Sequence, residues 1–374
     1  MKISGLRLLG ATLALVAISA PAAADFAAGR AAYKAGDYAA AAKEFTAAAD
    51  AGLARAQNDL GVLYERGQGV KQDYVQAALW YGKSADQGYP QAQTNLGYLY
   101  ENGLGVEQDY AKALEFYQKA ADRNWAQAEN NLGGLYERGR GVPRDYVKAL
   151  AWYRKAAAQQ LPQAQTNVGY MIESGRGTPR NDAEAMSWYR KAAARSYAQA
   201  QNNIGALYER GRGVPQDSVT AVDWYRKAVA QGLAQAQTNL GYMYALGRGV
   251  KRDDAEAAKL YRAAAEQGFA QGQNNLGYLY EQGRGLPRDY AAAKTWYEKA
   301  SVQGLAQGMM NLAVLYQNGR GVARDESLAL AWYQKAAETG YRPAIKRMAE
   351  IYRDGQLGQN RDPARAQFWT ERAL

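Results

Sequence analysis

The 374-residue sequence contains no cysteine and no histidine. Without cysteine there can be no disulfide, thiolate nucleophile, zinc cage or thiol for lipid attachment. Without histidine the commonest general base and the commonest metal ligand are missing too. Beyond the first two dozen residues no apolar run approaches the ~20 residues that a membrane-spanning helix needs. A carboxylate-pair hydrolase survives these exclusions. However, Glu65, Glu101, Glu137, Glu173, Glu209 and Glu281 recur in phase at one position, and a catalytic pair should break a repeat, not follow it. Segments such as Gly139-Arg140-Gly141 lack the third glycine and the Lys-Ser/Thr of a phosphate loop, and they follow a helical pattern instead of a strand. The expectation is a non-enzyme that uses no cofactor and no metal.

What is present is a repeat. Leu60-Gly61, Leu96-Gly97, Leu132-Gly133, Val168-Gly169, Ile204-Gly205, Leu240-Gly241, Leu276-Gly277, Leu312-Ala313 and Met348-Ala349 follow one another in steps of 36 residues. Such a period denotes stacked units with no single core. In 90–125, the residues Ala92, Leu96, Leu99 and Tyr100 mark one face of a helix. Gly103 ends that helix, and Asp109 caps a second one with Ala113, Phe116, Tyr117 and Ala120 as its buried stripe. A glycine inside a helix costs about 1 kcal/mol against alanine, so the recurrence of Gly97 in seven units predicts a close helix crossing. A column of tryptophans (Trp80, Trp152, Trp188, Trp224, Trp296, Trp332) and a tyrosine column beside it (Tyr81 through Tyr333) lie on the apolar stripe. They are expected to form the core, not a stacking surface for a ligand.

The boundaries follow from the period. Residues 1–24 read as a secretory signal peptide: Lys2 and Arg7, an apolar run from Leu8 to Ala20, then Ala22-Ala23-Ala24 before Asp25. Residues 25–53 read as an N-terminal capping helix pair with Gly36-Asp37 at its turn. Residues 54–341 hold eight full repeats, and 342–374 a divergent C-terminal capping repeat with polar additions such as Lys346, Arg347 and Arg353. Export, most simply to a bacterial periplasm, is expected. The net charge of +10 becomes +8 once Lys2 and Arg7 are removed. That favours anionic partners, while export argues against nucleic acid.

Asn95-Leu96-Gly97-Tyr98-Leu99-Tyr100, Gly103-x-Gly105-Val106, Asp109-Tyr110-x-Lys112-Ala113 and Tyr117-x-Lys119-Ala120-Ala121 resemble the Sel-one-like repeat, a longer-looped relative of the tetratricopeptide repeat. The resemblance covers about 54–374. It implies an all-α, right-handed superhelix (solenoid) of about ten antiparallel helix pairs with each first helix on the concave side. It also implies an adaptor for other proteins, in bacterial signalling, secretion or envelope assembly. Departures are Phe116 and Leu260 for Trp, Ile172 for Tyr, Asn181 for the capping Asp and Ala313 for Gly.

If first helices line a groove, the residues off their apolar stripe face a partner. One such column is Asn58, Thr94, Asn130, Thr166, Asn202, Thr238 and Asn274, whose alternation hints at a duplicated 72-residue pair. One turn on come Val62, Tyr98, Gly134, Tyr170, Ala206, Tyr242 and Tyr278, where large and small residues would leave pockets between tyrosines. Gln91 and its equivalents through Gln307 add amides. Amides pair with a peptide backbone, and tyrosines give contact area at low entropic cost; sugars would be served equally. The Asn95 column, by contrast, is expected to bond a neighbouring helix or loop. Arg140, Arg144, Arg176, Arg180, Arg212, Arg248, Arg252, Arg284, Arg288, Arg320 and Arg324 gather in the loops. They form either a basic edge for an anionic envelope polymer or acidic partner, or solvated loops paired in part with Asp145 and its equivalents. The expected function is therefore an exported scaffold for a protein or peptide partner, with binding of peptidoglycan or another envelope glycan as the alternative.

Overall fold

The computed structural model describes residues 20–373. Among them are twenty α-helices and no strand, arranged along the chain as ten successive pairs. Two compact units divide the described residues. The first runs to Met171 and includes Gly175–Pro179; the second takes 172–174 and everything from Arg180 onward.

In the first unit, α1 (Ala20–Ala35), α2 (Tyr38–Asp50), α3 (Ala54–Arg66), α4 (Tyr74–Asp86), α5 (Pro90–Asn102), α6 (Tyr110–Ala121), α7 (Ala126–Arg138) and α8 (Tyr146–Ala158) each pack on the next. Helix α9 (Pro162–Ser174) follows. The second unit holds α10 (Asp182–Ala193), α11 (Ala198–Arg210), α12 (Ser218–Val229), α13 (Ala234–Leu246), α14 (Asp254–Glu266), α15 (Ala270–Gln282), α16 (Tyr290–Val302), α17 (Ala306–Asn318), α18 (Glu326–Glu338), α19 (Arg342–Asp354) and α20 (Pro363–Glu371), again packed in succession. Each unit taken by itself is thus an α-solenoid. Most of the expected signal peptide lies outside the described residues. The expected cleavage point, Ala24-Asp25, falls within α1, where Ala22 is buried.

Local chemistry sets the element ends. The carboxylate of Asp109 accepts from the Lys112 amide at 2.9 Å, and Asn181 substitutes by accepting from Glu184 at 3.0 Å. Such caps contribute about 1 kcal/mol each. Gly103 closes α5 at φ 67°. Gly97 does mark a close crossing: a Cβ there would lie 2.8 Å from the Tyr117 ring of the paired helix. The second glycine of each Gly-x-Gly loop has a different task. Gly249, at φ 66°, presses on the backbone of Ser218 and Val219, where the previous pair's second helix begins. The loop of one repeat is thereby docked onto the helix start of the repeat before it.

The core differs from expectation in one respect. The tyrosine column is fully buried, with Tyr81, Tyr117, Tyr189, Tyr225 and Tyr297 at 0% exposure. The tryptophans beside it are mostly half-buried. Trp152 covers the seam formed by Tyr117, Leu132 and Leu135, and Trp296 covers that of Tyr261, Leu276 and Leu279. A lysine one turn on sits over each ring, as Lys155 does 4.1 Å from Trp152 and Lys299 4.2 Å from Trp296. The wider indole spans a repeat boundary that reaches solvent, whereas the tyrosine points inward beneath the helical glycine.

Candidate partner-binding site

The first helix of each pair presents one polar column to its neighbour and another to solvent. The Asn/Thr column belongs to the former, which corrects its expected place on a partner-facing surface. Asn58, Thr94, Asn130, Thr166, Asn202, Thr238 and Asn274 are all buried, none more than 4% exposed. The Oδ1 of Asn58 accepts from Asn95 Nδ2 at 3.1 Å. Asn130 accepts from Asn167, Asn202 from Asn239 and Asn274 from Asn311, at 2.8–2.9 Å. The threonines donate to the carbonyls of Pro90, Pro162 and Ala234 one turn back. In the repeats between, Asn131, Asn203 and Asn275 accept from Gln127, Gln199 and Gln271 of their own helix. The alternation is therefore a hydrogen-bond ladder with a two-repeat period. In the Asn95 column, Asn95, Asn167, Asn239 and Asn311 bond a neighbouring helix, as expected, while Asn131, Asn203 and Asn275 bond the glutamine one turn back. The physical reason for the burial is stacking: the next repeat's asparagine covers the position, which a single helix viewed alone leaves bare.

The tyrosines one turn on are exposed. Tyr98 and Tyr170 in the first unit, and Tyr242 and Tyr278 in the second, are 41–45% exposed. In the first unit a pocket of about 520 Å³ opens over Gly134, beside Tyr98, Asn131 and Gln163. Its charges cancel, because Arg138 and Arg140 both reach Glu101 (3.3 and 3.1 Å) and Arg176 reaches Glu137 at 3.2 Å. In the second unit a pocket of about 250 Å³ lies between Tyr242 and Tyr278, floored by Tyr261 and Asn274 and edged by Gln307 and Asn311.

The loop arginines do not make a free basic edge. Arg140, Arg176, Arg212 and Arg320 each pair with a glutamate of the preceding repeat, at 3.0–3.2 Å. Each such glutamate also accepts the hydroxyl of the buried tyrosine in its own repeat, for example Tyr117 to Glu101 at 2.9 Å. Arg284 holds Asp254 at 2.6 Å, and Arg180 and Arg252 hold Asp182 and Asp254 at 2.6 and 2.8 Å. Arg324 pairs with Glu326, Arg144 lies over Tyr146, Arg248 lies over Tyr242, and Arg288 is exposed. The partners are thus mainly these glutamates and the aspartates at 182 and 254. Asp145 pairs instead with Lys148, at 3.7 Å. The guanidinium hydrogen bonds hold the carboxyls of Asp182 and Asp254 down at about 2. Conversely, burial raises the Glu129 carboxyl.

One departure escaped the sequence reading. Position 245, where six other repeats carry glutamate, is Ala245, and Leu246 follows it in place of a polar residue. The gap in the glutamate series was the available signal. No described helix is long and apolar enough to cross a membrane. Among the described residues no group of acidic side chains is placed to hold a metal ion.

A family model described as the Sel1 repeat matches residues 54–89, 90–125, 126–161, 162–197, 198–233, 234–269, 270–305, 306–341 and 343–374. Among solved structures, a protective antigen of uropathogenic Escherichia coli with an SLR fold is 34% identical. That likeness covers 94% of this chain and 83% of the antigen, with a TM-score of 0.56. A Sel1 repeat protein from Oxalobacter formigenes is also 34% identical, over 66% of this chain and 96% of its own, with a TM-score of 0.59. No curated protein matches the chain.

Proposed function

The chain belongs to the Sel1 repeat family, and from that footing we propose that it is an exported scaffold holding a protein or peptide partner on the exposed face of its first helices. The observation that carries this reading is the exposure of Tyr98, Tyr170, Tyr242 and Tyr278 beside side-chain amides. Large aromatic side chains left open on a folded surface mark contact sites, since tyrosine supplies area without much rotamer entropy to lose. The neutral pocket at Tyr98 suits a peptide backbone better than a polyanion. Export rests on Lys2, Arg7 and the apolar run from Leu8 to Ala20; the protein would act in a bacterial periplasm, in envelope assembly, secretion or signalling.

The test compares the wild type with a variant carrying alanine at all four tyrosines, in capture from periplasmic extract and in binding to purified peptidoglycan. A discrete protein retained by the wild type and lost from the variant, with an unchanged melting curve, supports the proposal. Equal capture by both proteins places the contact elsewhere. Binding to peptidoglycan alone, lost in the variant, would establish the glycan reading instead.

A further inference from the structure

The Tyr189–Glu173–Arg212 cluster serves as an internal template for the pocket between Tyr242 and Tyr278. Tyr189 donates its hydroxyl to Glu173 Oε2 at 2.8 Å, and Arg212 Nη1 meets Glu173 Oε1 at 3.1 Å. The rest of the Arg212 guanidinium is tied down: Nε and Nη2 reach Asp182 at 3.2 and 3.1 Å, and Nη2 also donates to the Glu173 carbonyl at 3.3 Å. Two repeats later the same frame returns. Arg284 Nε and Nη2 reach Asp254 at 3.2 and 2.6 Å, and Nη2 donates to the backbone carbonyl of residue 245 at 3.0 Å. Tyr261 stands where Tyr189 stood and is 3% exposed. Only the carboxylate is different, because residue 245 is alanine. Where the side chain of Glu173 fills the template, the second site opens into the pocket of about 250 Å³. Both donors therefore remain in the arrangement that binds a carboxylate elsewhere in this chain, with Arg284 also against the Tyr278 hydroxyl and Tyr261 against the Asn275 amide.

We propose that this pocket binds the carboxylate of an aspartate or glutamate side chain carried by an extended peptide partner, which supplies the group that Ala245 does not. The inference rests on the scaffold reading above and adds to it a location and a chemistry. Two features favour a peptide over a small free acid. The pocket opens between the exposed rings of Tyr242 and Tyr278 beside the exposed Leu246, an apolar rim that residues flanking the acid would cover. Gln307 and Asn311 line the same mouth, offering amides to a backbone. The charge is complementary as well: Arg284 is the one ionised side chain lining the pocket, and the Asp254 that it holds is shared with Arg252, which leaves that cluster one positive charge in excess, whereas glutamates and arginines balance at Tyr98. A bound carboxylate would be held by charge-assisted hydrogen bonds, the stronger kind.

Ala245→Glu is the discriminating variant, since it restores the template from within. Its melting temperature should rise above that of the wild type; a fall would show that these donors do not accept a carboxylate and would overturn the inference. A display library of random peptides is then panned on the full-length wild type, and the selected peptides are titrated by calorimetry. Acidic peptides should dominate and lose about tenfold or more in affinity both on Ala245→Glu and when their acid is changed to its amide, the effect of one charge-assisted hydrogen bond. Tyr261→Phe, which keeps the ring, should weaken them severalfold, and propionate should compete. Peptides that bind wild type and Ala245→Glu alike, or that ignore propionate, overturn the carboxylate site and leave the scaffold reading standing. If no peptide is selected, the carboxylate site falls, and the scaffold reading is decided by the capture experiment above.

Discussion

Replacing Glu129 with glutamine should stabilise the protein, and should do so only where the carboxyl would be ionised. Glu129 is 3% exposed and accepts from Gln159 Nε2 at 2.8 Å. The equivalent position in other repeats is glutamine, and it receives the same bond at the same length: Gln87 to Gln57, Gln231 to Gln201, Gln267 to Gln237 and Gln303 to Gln273. Three glutamines of this column donate backward, Gln57 to the Ala49 carbonyl, Gln93 to Ala85 and Gln273 to Ala265, at 3.1–3.3 Å. An ionised glutamate cannot donate, so the equivalent carbonyl, that of Ala121, which already accepts from the Asn124 amide at 2.8 Å, gains a second, side-chain donor only in the variant. One recovered hydrogen bond contributes about 1 kcal/mol, and removing a poorly compensated buried charge adds on the order of another. Burial raises the folded-state value of this carboxyl above its ordinary 4.5, offset in part by the Gln159 bond and by Lys155. The native state therefore binds the proton more tightly than the unfolded chain. The stability of the wild type is full below 4.5 and is lost as pH rises through the raised value. Below 4.5 the protonated carboxyl can itself donate to Ala121, and the two proteins should melt together. By pH 8 the variant should gain about 2 kcal/mol, a few degrees in melting temperature. Calorimetric melting from pH 4 to pH 8 measures the divergence. A constant offset across that range, or no gain at pH 8, would refute the reasoning.

Three further outcomes follow from the packing. Gly249→Ala and Gly232→Ala both place a side chain at positive φ, a strain of about 1–2 kcal/mol. Only the Cβ at 249 would meet backbone, that of Ser218, so denaturant titration should find the 249 variant clearly the less stable. Tyr297→Ala should cost about 3–5 kcal/mol as a fully buried ring. Trp296→Ala should cost about half as much, because its indole is half-buried at a seam; the reverse order would contradict the assignment of the core to tyrosine. Asp254→Asn should destabilise at neutral pH. The folded-state value of about 2 lies below the ordinary 3.8, so the contribution of this carboxylate is present above 3.8 and is lost as pH falls through about 2. The deficit of the variant, followed by circular dichroism, should shrink across that window and vanish below it.

The sequence by itself determined the repeat, the helix pairs and their ends, because those features are local. A 36-residue step, an apolar stripe, a capping aspartate and a glycine at each helix stop act within one or two turns of chain. The helical glycine was legible for the same reason: its partner, the tyrosine of the paired helix, lies only 20 residues on. The exposed tyrosine column was also legible, since it lies off the stripe and Tyr98, Tyr170, Tyr242 and Tyr278 stay exposed once the repeats stack. Only the tertiary structure decided the fate of the Asn/Thr column and of the loop arginines, because partners such as Asn95 for Asn58 and Glu101 for Arg140 lie 37 and 39 residues away across a repeat boundary. Polar side chains on one helix look alike whether they face water or a neighbouring amide. It is the stacking of one repeat on another that separates a buried ladder from an open surface, and that turns a single missing glutamate at 245 into a pocket.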